Sequence, residues 1–155
     1  MDRPARDILF FAQRVPYPPD RGDRITTWHL LRHFLGRGDR VRVACFLESE
    51  RDESSARELR SMGCELAAAR IHPRLRKLRC LPGLLGRQPL TLPYFFDRGL
   101  LEQCRSWARE RPPGIGFAYS SSSGQYFLAL GPLLRDCRKV MHFAELDSDK
   151  WAQYA

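Results

Sequence analysis

Residues 7–12 are apolar without interruption after Asp7, and an unalternating run of that length predicts a strand covered on both faces. Pro16, Pro18 and Pro19 follow, and because prolines lack a donor and push their predecessors toward extended geometry, no helix is expected before Asp20. Asp23 is the expected N-cap of a helix whose apolar positions Ile25, Trp28, Leu31 and Leu35 fall three and four apart. Gly36 and Gly38 stop it. Residues 40–47 are β-branched and apolar and predict a second strand. Residues 48–52 make a charged turn, 53–62 a polar helix ended by Gly63, and 64–71 a weaker third strand.

After residue 72 the rhythm breaks, and residues 89–96 read as extended and aromatic. Asp97 then caps a helix to about residue 110, with Leu100, Leu101, Cys104, Trp107 and Ala108 on its apolar side. A fourth strand is expected at 115–119, a helix at about 125–134 and a fifth strand at 138–144. Strands alternating with helices in this way predict an α/β fold, a doubly wound parallel sheet with right-handed crossovers.

The length, 155 residues, fits one domain able to bury its own core. Apolar residues make up 43% and charged residues 28%, a globular balance, and no run approaches the roughly 18 apolar residues of a membrane span. Residues 1–6 lack the pattern of a signal peptide, so cytoplasmic residence is expected. Five scattered cysteines without a CxxC pair indicate neither a zinc knuckle nor a disulfide framework, and free thiols are expected. The net charge of +8 is concentrated locally, since no acidic residue lies between Glu65 and Asp97. Such a field favours anionic partners without choosing among nucleic acid, phospholipid and phosphorylated small molecules.

Within that stretch Arg74, Arg76, Lys77 and Arg79 interleave with Leu75, Leu78 and Leu81. Two readings fit: a basic amphipathic helix on an anionic membrane surface, or a solvated helix face with its leucines in the core. Ser120, Ser121 and Ser122 stand where a ligand-facing loop belongs. They could hold a phosphate with hydroxyls and backbone N–H groups, or simply cap the next helix. Glu145, Asp147 and Asp149 follow the fifth strand in alternation, and such crowding of like charges suits base chemistry, cation binding or hydrogen bonds to a sugar. His29 and His33 have the i, i+4 spacing of a zinc pair but no third ligand, so surface histidines are expected. His142, inside the fifth strand, reads as a satisfied core histidine with a catalytic role as the alternative. No GxSxG, phosphate-loop GK[ST] or GxGxxG motif is present.

Several of these segments taken together resemble a known family. They are Pro16, Tyr17, Pro18, Pro19, Asp20, Arg21, Gly22, Asp23 and Arg24, followed by Trp28, His29, Leu30 and Leu31. The basic segment opening at Pro73, Arg74 and Leu75, then Leu92, Pro93 and Tyr94, and finally Asp147, Ser148, Asp149, Lys150, Trp151, Tyr154 and Ala155 complete the set. This combination resembles the N-terminal half of family 4 (group 1) glycosyltransferases, in particular sugar transferases associated with exopolysaccharide and protein-sorting gene clusters.

The resemblance implies a GT-B architecture, two Rossmann-like domains facing across a cleft, with this chain as the N-terminal, acceptor-side domain and the nucleotide-sugar-binding domain absent from it. The implied reaction is retaining transfer of a sugar from a nucleotide-sugar donor to a lipid-linked glycan acceptor in polysaccharide biosynthesis. No cofactor or metal is expected, the nucleotide sugar being a co-substrate. Glu145 and Asp147 match positions that touch the transferred sugar. Asp20, Arg21, Gly22, Asp23 and Arg24, with Ser120, Ser121, Ser122, Asp149 and Lys150, would bind substrate. Asp23 stands where the family's second glycine lies, so charged side chains rather than bare backbone are expected to meet it. Arg74, Arg76, Lys77 and Arg79 would dock on the inner face of the plasma membrane, near a polyprenyl-linked acceptor. The chain alone is expected to fold without turning over sugar. A non-catalytic Rossmann-like module binding nucleic acid or another anion is the alternative, although no nucleic-acid motif is present and no such partner is expected.

Overall fold

A computed structural model describes residues 4–72 and 91–143. Its strands are β1 (Asp7–Phe11), β2 (Arg40–Leu47), β3 (Glu65–Arg70), β4 (Ile115–Tyr119) and β5 (Arg138–His142). The helices are α1 (Gly22–Gly36), α2 (Glu50–Ser61), the single turn α3 (Thr91–Tyr94), α4 (Arg98–Glu110) and α5 (Ser121–Leu130), the last running into a 3-10 turn at Gly131–Leu134. The strands form one all-parallel sheet in the order β3-β2-β1-β4-β5. This is a Rossmann-like α/β arrangement, as the strand and helix alternation predicts.

Alternation along the strands builds two cores. Ile8, Phe10, Val43, Cys45, Phe117 and Tyr119 face Leu31 of α1 and Ala56 and Leu59 of α2. Leu9, Phe11, Ala44, Phe46 and Ala118 face α4 and α5 through Leu100, Cys104, Trp107, Tyr126 and Phe127. β1 contributes to both, which is why its sequence shows no polar alternation. Phe10 stacks on Phe117 of the neighbouring strand at 4.9 Å, and Phe11 on Tyr126 at 5.2 Å.

Several local expectations are corrected. The N-cap of α1 is the extended residue Arg21, not Asp23, which sits in the first helical turn with its carboxylate drawn to Arg14. The buried face of α1 is Arg24, Thr27 and Leu31, while Ile25 is 43% exposed. The helix is therefore turned so that an arginine enters the interior where an isoleucine stripe was expected. α2 begins at Glu50, ahead of the expected 53, because Ser49 and Asp52 form a reciprocal capping box. α5 begins at Ser121 rather than about 125, so the serines form its first turn. Thr91–Tyr94 is helical where an extended segment was expected. Asp97 caps α4 as anticipated, accepting from the Leu100 N–H at 3.1 Å.

Cys45, Cys64, Cys104 and Cys137 are buried free thiols. Burial pushes Cys45 and Cys104 up to about 12 and Cys64 to about 11, so these are inert apolar filling rather than nucleophiles. Cys80 lies outside the described residues.

Among the described glycines, Gly116 leaves the least room for a side chain. A methyl group placed there would stand 2.8 Å from Phe127 Cε1 and 3.3 Å from Cys137 Sγ. Phe127 is held edge-on to Phe11, so the ring has little room to retreat. Gly116→Ala is expected to cost about 1–2 kcal/mol net, overpacking outweighing the entropy the alanine removes from the unfolded chain. A lower urea midpoint with unchanged slope would show it.

Candidate functional site

In an open α/β sheet, ligands bind beyond the carboxyl ends of the strands where the winding reverses. The order β3-β2-β1-β4-β5 puts that switch point between β1 and β4. Two consecutive residues leaving β1 organise it, and they reach in opposite directions.

Gln13 reaches toward the end of β4. Its Nε2 donates to Ser120 Oγ and to Ser122 Oγ, both at 2.7 Å, and the two hydroxyl oxygens lie 3.1 Å apart. Ser120 has φ 75° and ψ 152°, a region nearly reserved for glycine that costs a side chain about 1–3 kcal/mol. Its N–H donates to the carbonyl of His142 at 2.9 Å, tying the turn to the end of β5. Ser122 is 1% exposed. Gln125 fixes the same turn from inside by donating to the carbonyls of Ser122 (2.6 Å) and Leu92 (3.0 Å). Gly124 lets α5 settle on β5, since a methyl there would lie 3.1 Å from the Met141 side chain.

Arg14 reaches toward the end of β2. Its Nε donates to Glu48 Oε2 and its Nη1 to Asp23 Oδ2, each at 2.9 Å. Burial works against this charge, and the hydrogen bonds to Glu48 and then Asp23 outweigh it, holding the guanidinium above its ordinary value. Arg21, whose side chain is 53% exposed, stands 3.8 Å from Asp23 and 3.9 Å from Glu48. Arg24 is turned inward: its Nη2 donates to Asp52 Oδ1 at 2.7 Å, with both side chains buried. Asp20 sits at the rim, 3.5 Å from Arg24 and 3.8 Å from Arg51.

The result is a rim with two characters. On the β2 side Arg14, Arg21, Asp23 and Glu48 make an ionic lattice in which each charge has an opposite neighbour. On the β4 side Gln13, Ser120 and Ser122 make a neutral triad. Of the loop residues expected to bind substrate, Asp20, Arg21, Gly22 and Asp23 are at the rim, whereas Arg24 is committed to Asp52. Ser120 and Ser122 belong to the triad, and Ser121 is exposed beside them. Gln13, Arg14 and Glu48 were absent from the expected set. The available signal was positional: they are the first polar residues after two buried parallel strands.

His142 is half-buried with its ring stacked on Tyr119 at 5.2 Å. Its Nδ1 is buried and has no hydrogen-bond partner among the described residues, so the satisfied core histidine expected here is not what the structure shows. His29 and His33 are both exposed, and the described residues contain no cluster of three metal-ligating side chains. Arg74, Arg76, Lys77, Arg79, Glu145, Asp147, Asp149 and Lys150 lie outside the described residues. Among those described, no helix is long and apolar enough to cross a membrane. A hollow of about 600 Å³ is lined by Pro93, Phe96 and Asp97 at the start of α4, and another of about 420 Å³ lies between α4 and Ala67, Ala68 and Ala69 of β3.

Comparison with protein-family models and with curated proteins finds no match for this chain.

Proposed function

We propose that this chain is the acceptor-side domain of a retaining GT-B glycosyltransferase, contributing one wall of the cleft in which a sugar passes from a nucleotide-sugar donor to a lipid-linked glycan. The observation that carries the proposal is the built polar rim at the β1/β4 switch point, where Gln13 and Ser120 meet a backbone held in a costly conformation. That position is where a Rossmann-like sheet receives ligands, and the part of the resembling motif at residues 20–23 lies on the same rim.

Part of the positive charge of the described residues is already committed within the fold. Arg6, Arg14, Arg24, Arg40 and Arg111 each have a carboxylate partner within 3 Å, whereas a nucleic-acid surface presents rows of cations free to meet phosphates. Membrane docking through residues 74–79 and sugar contacts by Glu145 and Asp147 belong to the same proposal.

Isothermal titration tests it. The chain is expected to bind a short polyprenyl-linked glycan and to bind nucleotide sugars no better than millimolar, because most of the donor pocket would belong to the second domain. Sub-micromolar nucleotide-sugar binding, or a salt-sensitive gel shift with oligonucleotides and no glycan binding, would overturn it.

A further inference from the structure

The donors and acceptors of the neutral triad can be counted. Gln13 supplies two amide protons, and one goes to each serine oxygen. The 3.1 Å contact between Ser120 Oγ and Ser122 Oγ needs a proton of its own. If the amide were turned over, both hydroxyl protons would be spent on Gln13 Oε1, and the two oxygens would face each other with lone pairs only. The contact therefore decides the amide orientation.

One hydroxyl proton remains after this count. Ser122 is 1% exposed, so a proton left idle there would be a buried unpaired donor. Ser122 accordingly donates to Ser120, and the free proton belongs to the half-buried Ser120. Gln13 Oε1 has no partner among the described residues and is not among their buried unpartnered atoms, so on the half-buried Gln13 it keeps an acceptor available. The triad thus presents one donor and one acceptor side by side, with no net charge.

We infer that Gln13 and Ser120 form a hydroxyl-reading subsite specific for a neutral polyol, the sugar of the acceptor, and not for its phosphate. This rests on the glycosyltransferase reading and narrows it. A ligand hydroxyl accepts from Ser120 Oγ–H and donates to Gln13 Oε1, which satisfies both. An ionised phosphate oxygen has no proton for Oε1 and would place its charge against the carbonyl dipole. Arg14, next to Gln13 in the chain, does not redress this, because it is turned to the other side and held by Glu48 and Asp23. The choice of residue at position 120 fits the same account. Glycine would adopt its backbone angles without strain, so a serine there is costly for folding and is explained by its hydroxyl.

The test uses methyl α-glucoside and inorganic pyrophosphate as probes, read on the side-chain amide of Gln13 in nitrogen–proton correlation spectra. The glucoside is expected to shift that amide and the Ser120 backbone signal, and pyrophosphate is expected to leave both in place. Gln13→Glu, which fills the same space but draws in both serine protons, should weaken glucoside binding at least tenfold. Ser120→Gly should weaken it equally with little net change in melting temperature, because relief of backbone strain is offset by the acceptor lost to the buried Ser122 hydroxyl and to the Gln13 amide. A purely structural serine would give no binding loss. Undiminished glucoside affinity in either variant, or pyrophosphate shifting the Gln13 amide more than glucoside does, overturns the inference. Glucoside signals confined to other parts of the rim overturn it and leave the glycosyltransferase reading standing, whereas no response to glucoside, polyprenyl-linked glycan or nucleotide sugar anywhere defeats both.

Discussion

Asp52→Ala is expected to destabilise the fold by about 3–5 kcal/mol at neutral pH, because it leaves a buried arginine without its counter-charge. Arg24 donates to Asp52 at 2.7 Å, and the two side chains are 7% and 3% exposed. The same carboxylate accepts from the N–H groups of Glu48 (2.8 Å) and Ser49 (3.0 Å), closing the capping box of α2. One substitution therefore breaks the link between α1 and α2 and uncaps α2. Burial alone would push the Asp52 carboxyl up, but the Glu48 N–H, the Arg24 guanidinium and the Ser49 N–H together hold it below its ordinary value.

The pH dependence follows from that direction. A carboxyl depressed in the folded state contributes stability in full above the unfolded value of 3.8, and the contribution is lost as pH falls through the lower folded value. Asp52→Asn keeps an acceptor for the cap but removes the charge and turns an amide donor toward Arg24. Urea unfolding should show the full gap between parent and Asp52→Asn at about pH 7 and a narrowed gap at about pH 3. An equal gap at both would mean that the charge of Asp52 is not what stabilises the pair.

Asp52 also shows which parts of the molecule were legible in advance. Strands and helices announced themselves through local periodicity, and the parallel sheet followed from their alternation. The orientation of α1 did not, because its buried face is decided by an ion pair across 28 residues. A helical wheel prefers Ile25 inside, and only the position of Asp52 explains why Arg24 goes there instead. The start of α5 was hidden for a related reason. Serines are weak helix formers on their own, but Gln13 supplies partners for Ser120 and Ser122 from outside the segment, and Gln125 adds one from within it. The left-handed backbone of Ser120 leaves no trace in composition at all.

The candidate site was legible in location but not in composition. The proline-rich loop after β1 and the serines after β4 both pointed to the carboxyl end of the sheet. What joins them is Gln13, an ordinary glutamine at the edge of an apolar run. Its significance depends on β1 and β4 being neighbours, with Phe11 opposite Ala118 in the register. Sequence order separates Gln13 and Ser120 by 107 residues. The arginines of the loop, conversely, looked like substrate ligands when considered singly. In the fold Arg24, like the Arg14 that the expected set left out, spends its hydrogen bonds on carboxylates of the protein, which stiffens the rim that the exposed Arg21 and the neutral triad present.

The second large effect is expected at the opposite end of the sheet. Arg42 lies near the start of β2 and is 1% exposed. Its Nη1 donates to the carbonyl of Trp107 at 2.6 Å and its Nη2 to that of Arg111 at 2.7 Å. These carbonyls close the last turn of α4, where unpaired acceptors and the negative end of the helix dipole favour a cation. Burial, reinforced by Arg111, pulls the Arg42 guanidinium below its ordinary value, yet an arginine stays charged. Arg42→Met keeps the apolar length of the side chain and removes both donors. Charge-assisted hydrogen bonds are worth about 1.5–3 kcal/mol each, and escape from burying a charge returns part of that, so a net loss of about 2–4 kcal/mol is expected. Arg42→Lys should not rescue it, because a compact ammonium cannot fork between two carbonyls 4 residues apart on a helix end. Parent-like stability in the lysine variant would show that charge alone suffices there. Hydrogen exchange should localise the damage to the last turn of α4 in both variants. The Gln13 amide signal at the far end of the sheet should stay where it is, which separates what holds this fold together from what its switch point is built to bind.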